Sequence, residues 1–124
     1  MAKWELDKCM VAETSDQRSA TTQKLHVAAL VNKITDWHED RNLIEGSTDK
    51  DQVLKLMQEL GELSDSVCKG NDIRDDLGDM MVVMINIMKR NDVTMNDCLT
   101  VAYNDIKDRK GRMIDGIFVK EADL

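Results

Sequence analysis

Proline is absent from the 124 residues, and the aromatic side chains are two Trp, one Tyr and one Phe against nine Met. That balance favours helices packed by flexible aliphatic side chains over a sheet sandwich, and predicts an all-α fold. No apolar run approaches the ~20 residues of a membrane span, and Met1 to Ala20 lacks the uninterrupted apolar centre of a signal peptide, so a cytoplasmic protein without membrane partners is expected. Cys9, Cys68 and Cys98 are odd in number and widely spaced, which fits neither a zinc site nor a redox dithiol and points to reduced, structural thiols. Neither of the two His, His26 and His38, follows a Glu by three positions as di-iron bundles require. Phosphate-loop glycine patterns are missing, and no spacing suggests a Ser/His/Asp or Cys/His grouping. Cationic excess is missing too. The net charge of -7 argues against an extended nucleic-acid surface, which needs many Lys or Arg to replace condensed counterions. A phosphate-bearing small molecule stays compatible with such a chain if divalent cations stand between the two.

With 42% hydrophobic and 33% charged residues, the composition is that of a globular protein, and the length suits one domain. Residues 1–20 show no clear period and are left as an unassigned N-terminal arm, with a single helical domain over 21–124. Val27, Leu30, Val31, Ile34 and Trp37 recur at helical spacing and predict a first amphipathic helix from about Thr22 to Asn42. Thr48 with Asp51 resembles a capping box, and the stripe Val53, Leu56, Met57, Leu60, Leu63, Val67 carries a second helix to Lys69, stopped by Gly70. Asn71 or Asp72 is the expected cap of a third helix to about Arg90, which is apolar nearly all round and should lie centrally: from Met80 to Met88 only Asn86 is polar. Thr94 and Asp97 repeat the capping pattern and open a fourth helix to about Lys110. Asp115-Gly116, flanked by apolar residues, predicts a small terminal β-hairpin.

Several carboxylates fit poorly as surface decoration. Glu59 and Glu62 share one side of the second helix, at the edge of its apolar stripe. Neither has a Lys or Arg four residues on; Lys55 precedes Glu59 by four, the weaker orientation, and Asp65 adds further negative charge. Asp72 and Asp75 are explained by the positive N-terminus of the third helix, but Asp76 only in part and Asp79 poorly. A short turn at Gly70 makes the two helices antiparallel, so the Glu59/Glu62 pair can face the Asp76/Asp79 pair. Two like charges about 4 Å apart repel by roughly 1 kcal/mol in water and about 4 kcal/mol at an effective dielectric near 20. Two readings therefore stand: a site for a hard cation, Mg²⁺ with Mn²⁺ as substitute, or a solvated acidic face.

The run Leu56-Met57-Gln58-Glu59-Leu60-Gly61-Glu62-Leu63, followed by Asp75-Asp76-Leu77-Gly78-Asp79-Met80, resembles the MazG-like nucleoside triphosphate pyrophosphohydrolases, especially their short single-domain phage forms. The family pattern is Glu-Glu-x-x-Glu, a spacer, then Glu-x-x-Asp; Gln58 departs from the first Glu and Asp76 from the Glu of the second half, while Glu59, Glu62 and Asp79 match. The likeness extends over about residues 24 to 120, including Trp37-His38-Glu39-Asp40-Arg41-Asn42 and Asn104-Asp105-Ile106-Lys107-Asp108-Arg109-Lys110-Gly111. It implies a four-helix protomer in a dimer or tetramer, located in the host cytoplasm if phage-encoded. It also implies Mg²⁺-dependent cleavage of nucleoside or deoxynucleoside triphosphates between the α and β phosphates, with Glu59, Glu62, Asp76 and Asp79 as catalytic metal ligands. Lys107 and Arg109, with Asn104 nearby, are candidate phosphate contacts or simply basic groups at a helix C-terminus. Trp37 and His38 can border the base, although Trp37 also fits the core stripe and His38 a structural role; Asn86 lines the pocket or satisfies a buried neighbour. Alternatives are an all-α dUTP- or dCTP-type pyrophosphatase and a non-enzymatic helical oligomer whose acidic face binds a basic protein partner.

Overall fold

The structure, a computed structural model, describes residues 24–124; the expected arm over 1–20 lies outside them. Helices α1 (Val27–Asp40), α2 (Asp49–Lys69), α3 (Arg74–Arg90) and α4 (Met95–Ile106) precede an antiparallel hairpin of β1 (Gly111–Ile114) and β2 (Ile117–Lys120), and a 3-10 turn follows at Glu121–Asp123. The described chain is thus mostly helical with one small two-stranded sheet. Two compact units divide between Asp36 and Trp37, inside α1, and the features below belong to Trp37–Leu124.

Local chemistry sets most element ends. The Thr48 hydroxyl accepts from the Asp51 N–H at 3.1 Å, opening α2, and Gly70 closes it in the left-handed region at φ 71°. There the Asn71 N–H returns to the Ser66 carbonyl at 2.9 Å, satisfying a carbonyl that a straight end would orphan. Thr94 and Asp97 form a reciprocal capping box at α4, with bonds of 3.0 and 2.9 Å. In the hairpin Ile114 pairs with Ile117 around Asp115 (φ 51°) and Gly116 (φ 81°), the two positive φ values of a type I′ turn.

Three boundaries differ from the sequence expectation. Helix α1 spans Val27–Asp40, short of the expected end at Asn42, and its expected start at Thr22 lies outside the described residues. The position before α3 is Ile73, without a side-chain cap; the Asp72 carboxylate instead accepts from the Arg74 N–H at 3.0 Å and pairs with its guanidinium at 2.6 Å. Helix α4 stops at Ile106, so Lys107 and Arg109 lie on the turns beyond it. Composition could not place that end, because nothing between Ile106 and Lys110 forbids helix.

Helices α2 and α3 form the main helix–helix contact among the described residues. Val83 and Ile85 of α3 are the buried apolar residues among those described, and three polar residues, His38, Glu59 and Asn86, are buried with them. The expected central position of α3 holds for this segment alone, since Met81 is exposed. The α2 stripe is likewise only partly covered: Val53, Met57, Leu60 and Val67 are exposed.

The buried polar groups tie the chain between α1 and α2 to α3. The Asn86 amide, at 0% exposure, donates to the Leu43 carbonyl at 2.9 Å and lies 3.2 Å from His38 Nδ1. His38 Nε2 is 2.9 Å from the Val82 carbonyl. A carbonyl can only accept, so Nε2 carries a proton, and Nδ1 accepts from the Asn86 amide. Arg90 adds an outer tie, pairing with Asp49 at 2.9 Å and donating to the Ile44 carbonyl.

Candidate metal centre and adjoining cavity

The α2–α3 hairpin brings Glu59, Glu62 and Asp79 together: one carboxylate oxygen from each lies within 4.8 Å of the others. That spread is close to the ~4.2 Å separating opposite ligands of an octahedral Mg²⁺. The three differ in setting. Glu62 is exposed and Asp79 half-buried, whereas Glu59 is 7% exposed.

Glu59 is the informative member. Its Oε2 faces Lys55 Nζ at 3.3 Å, while its buried Oε1 has no hydrogen-bond partner among the described residues. Leaving a buried charged acceptor unmet costs about 1–3 kcal/mol or more, and a cation placed among the three carboxylates removes that cost. Asp79 reports the same crowding. Its carboxyl is held above the usual range, first by loss of hydration, then by the negative charges of Asp75, Glu59 and Asp76, with Lys55 pulling the other way. An all-oxygen donor set with an orphaned buried lone pair fits a hard divalent ion.

Asp76 is half-buried on α3 and close enough for its charge to act on Asp79, but it is not one of the three clustered groups. Asp65 stands apart, neutralised by Lys69 at 2.9 Å on the exposed side of α2. The local ion pair at Lys55 forms despite its unfavourable orientation along the helix.

A cavity of about 390 Å³ adjoins the carboxylates, lined by Trp37, His38, Leu43, Gln52, Lys55, Glu59, Asp79, Val82 and Val83. This volume lies in the range that small-molecule sites occupy. Trp37 is 44% exposed, so it is a wall of this cavity rather than the core residue its stripe suggested. Arg41 lies over its ring, the guanidinium carbon 4.4 Å from the centroid. The His38 ring stands edge-on to it at 5.3 Å, with both nitrogens engaged internally, so His38 shapes the wall and has no nitrogen left for a ligand. Asn86 does not line the cavity; it positions Leu43 and His38, which do.

Asn104, Lys107 and Arg109 are exposed, and none of them lines this cavity. Arg109 pairs with Asp105 at 2.6 Å and borders a separate open cleft with Lys110 and Lys120. Sequence reasoning missed Lys55, Gln52, Leu43, Val82 and Val83 as cavity residues. Periodicity offered a signal for Lys55, one turn before Glu59 on the same side of α2, and for Val82 and Val83, one turn beyond Asp79.

No family model matches the chain. The "Uncharacterized 18.2 kDa protein in rep-hol intergenic region" of Haemophilus phage HP1 (strain HP1c1) is 46% identical over 66 residues, 52% of this chain and 40% of that protein. The chain therefore matches well under half the length of this phage relative. No solved structure matches. Among the described residues no helix is long and apolar enough to cross a membrane.

Proposed function

We propose that this chain is a metal-dependent nucleoside triphosphate pyrophosphohydrolase, cleaving between the α and β phosphates to give a monophosphate and pyrophosphate. The observation that carries the reading is the clustering of Glu59, Glu62 and Asp79 beside a cavity walled by Trp37, with one oxygen of buried Glu59 left without a partner. Resemblance of the same carboxylate motif to the MazG-like enzymes supplies the reaction type.

In this reading Glu59, Glu62 and Asp79 hold Mg²⁺ or Mn²⁺, and Asp76 strengthens the negative field from the next turn of α3. The bound ion supplies positive charge against the phosphate oxygens and makes water a better nucleophile at neutral pH. Trp37 offers a ring face to the base, steadied by Arg41 on the turn just past α1. Val82 and Val83 line the cavity with apolar surface beside Glu59 and Asp79, which strengthens the electrostatics at those two carboxylates.

The protein is further proposed to be a homodimer or homotetramer. Leu99, Val101, Tyr103 and Ile106 of α4 and Met113, Ile117 and Phe118 of the hairpin are all exposed, a concentration of apolar side chains that a second copy of the chain would cover. Such packing can carry Asn104, Lys107 and Arg109 toward another copy's phosphates. Incubation with a panel of ribo- and deoxynucleoside triphosphates and Mg²⁺, followed by product analysis, tests the reading. Pyrophosphate release abolished by EDTA is expected, and confinement to dUTP or dCTP would narrow the activity to the deoxynucleotide type. Inactivity across the panel with both Mg²⁺ and Mn²⁺ would favour the binding-module alternative.

A further inference from the structure

Lys55 is the single cation among the residues lining the cavity, and it is held by the very carboxylate that the metal reading needs. Its Nζ lies 3.3 Å from Glu59 Oε2 and 3.5 Å from Gln58 Oε1. Both distances exceed the ~2.7–2.9 Å of a strong charge-assisted bond. Lys preceding Glu by four is also the weaker helical order, and the Lys55 side chain is 49% exposed, so its four-carbon stem can swing without disturbing packing. A lysine so held is easily exchanged.

We propose that Lys55 is an exchangeable counter-ion: its ammonium balances Glu59 while no metal is bound, and metal binding releases it to meet a phosphate oxygen of the substrate in the same cavity. The inference rests on the metal reading above and assigns Lys55 a positioning role within it. The metal and the ammonium compete for Glu59 because both are cations drawn to one buried carboxylate. Glu59 is its ion-pair partner within 4 Å among the described residues, and once displaced the ammonium stays tethered one helical turn away from the metal ligands. A triphosphate brings the negative oxygens that replace Glu59.

The test uses Lys55→Met and Lys55→Arg, with Mn²⁺ alone as the first probe and inorganic pyrophosphate added to the Mn²⁺-loaded protein as the second. Mn²⁺ binding is read by electron paramagnetic resonance and pyrophosphate binding by calorimetry. Lys55→Met is expected to bind Mn²⁺ about three- to tenfold more tightly, since a competing cation is gone, and pyrophosphate severalfold more weakly. Lys55→Arg, which keeps the charge, should stay near wild type for Mn²⁺ and shows that any change is not a folding defect. Unchanged or weaker Mn²⁺ binding by Lys55→Met, with wild type binding normally, would overturn the exchange while leaving the metal reading standing. Tighter Mn²⁺ binding with unchanged pyrophosphate binding would overturn the phosphate role. Failure of wild type to bind Mn²⁺ at all would remove the metal reading and this inference together.

Discussion

Glu59 on α2 and Asp79 on α3 bring carboxylate oxygens within 4.8 Å of each other across a helical hairpin, with Glu59 buried and Asp79 half-buried. Twenty positions of sequence separate them, and the turn at Gly70 reverses the chain between the two. An isolated domain gains nothing from this juxtaposition, because like charges in a partly dry setting repel by several kcal/mol at most of the dielectric values proteins present. Destabilising arrangements of this kind persist where a ligand resolves them.

The wall of the cavity depends on Asn86 in a way that can be measured separately from chemistry. Asn86→Leu removes the donor to the Leu43 carbonyl and to His38 Nδ1 and leaves both acceptors unmet in the interior. It should lower stability by about 2–3 kcal/mol in urea denaturation, by the usual cost of stranded buried polar groups. A change under half a kcal/mol would show that the His38–Asn86–Leu43 network does not hold the wall.

The pH dependence of stability follows from Asp79. Its folded-state titration lies above the ordinary carboxylate value of 3.8, so the folded chain binds this proton more tightly than the unfolded chain. Stability then falls as pH rises through the window from that value up to the raised one. Asp79→Asn lacks the group and escapes the penalty. In EDTA, the melting-temperature advantage of Asp79→Asn over wild type should be small in acid and grow toward neutral pH; an advantage that shrinks over the same range would contradict the assignment. Asp49 has the opposite sign. Hydrogen bonds from Arg90 and then Asn91 hold its carboxyl below the usual range, so its contribution is present above 3.8 and lost as pH falls through its lowered titration.

Much of the fold was legible because its signals are local. Thr48, Gly70, the Thr94/Asp97 box and Asp115-Gly116 each act over a few residues, and each marks an element end where the sequence places it. What could not be read depends on distant partners. The sequence leaves His38 either bordering a base or structural, and the partners that meet its nitrogens, Val82 and Asn86, lie 44 and 48 positions away. Trp37 fits a stripe that is only partly covered among the described residues. Within the site, the shared helix sides of Glu59/Glu62 and Asp76/Asp79 were readable from spacing. That Asp79 and not Asp76 joins the cluster, and that Lys55 reaches Glu59, depends on how α2 and α3 are rotated against each other, which periodicity leaves open.

Exposed apolar residues on α4 and the hairpin predict self-association. Light scattering at micromolar concentration should return the mass of two or four chains. A monomer would contradict the proposed oligomer and leave the exposure of Leu99, Val101 and Phe118 to be explained by another partner.

Asp79→Asn decides whether Asp79 is a metal ligand or a structural acid, because the two roles predict opposite signs. The substitution keeps the side-chain size and deletes one negative charge from the cluster of Glu59, Glu62 and Asp79. The measurement is Mg²⁺-dependent pyrophosphate release by Asp79→Asn, set against its melting temperature with and without Mg²⁺. With Asp79 as a ligand, hydrolysis falls by at least ~100-fold, the metal-free melting temperature equals or exceeds that of wild type, and most of the stabilisation that Mg²⁺ gives the wild type is lost. Near-normal hydrolysis in a destabilised variant whose response to Mg²⁺ is unchanged would contradict that role.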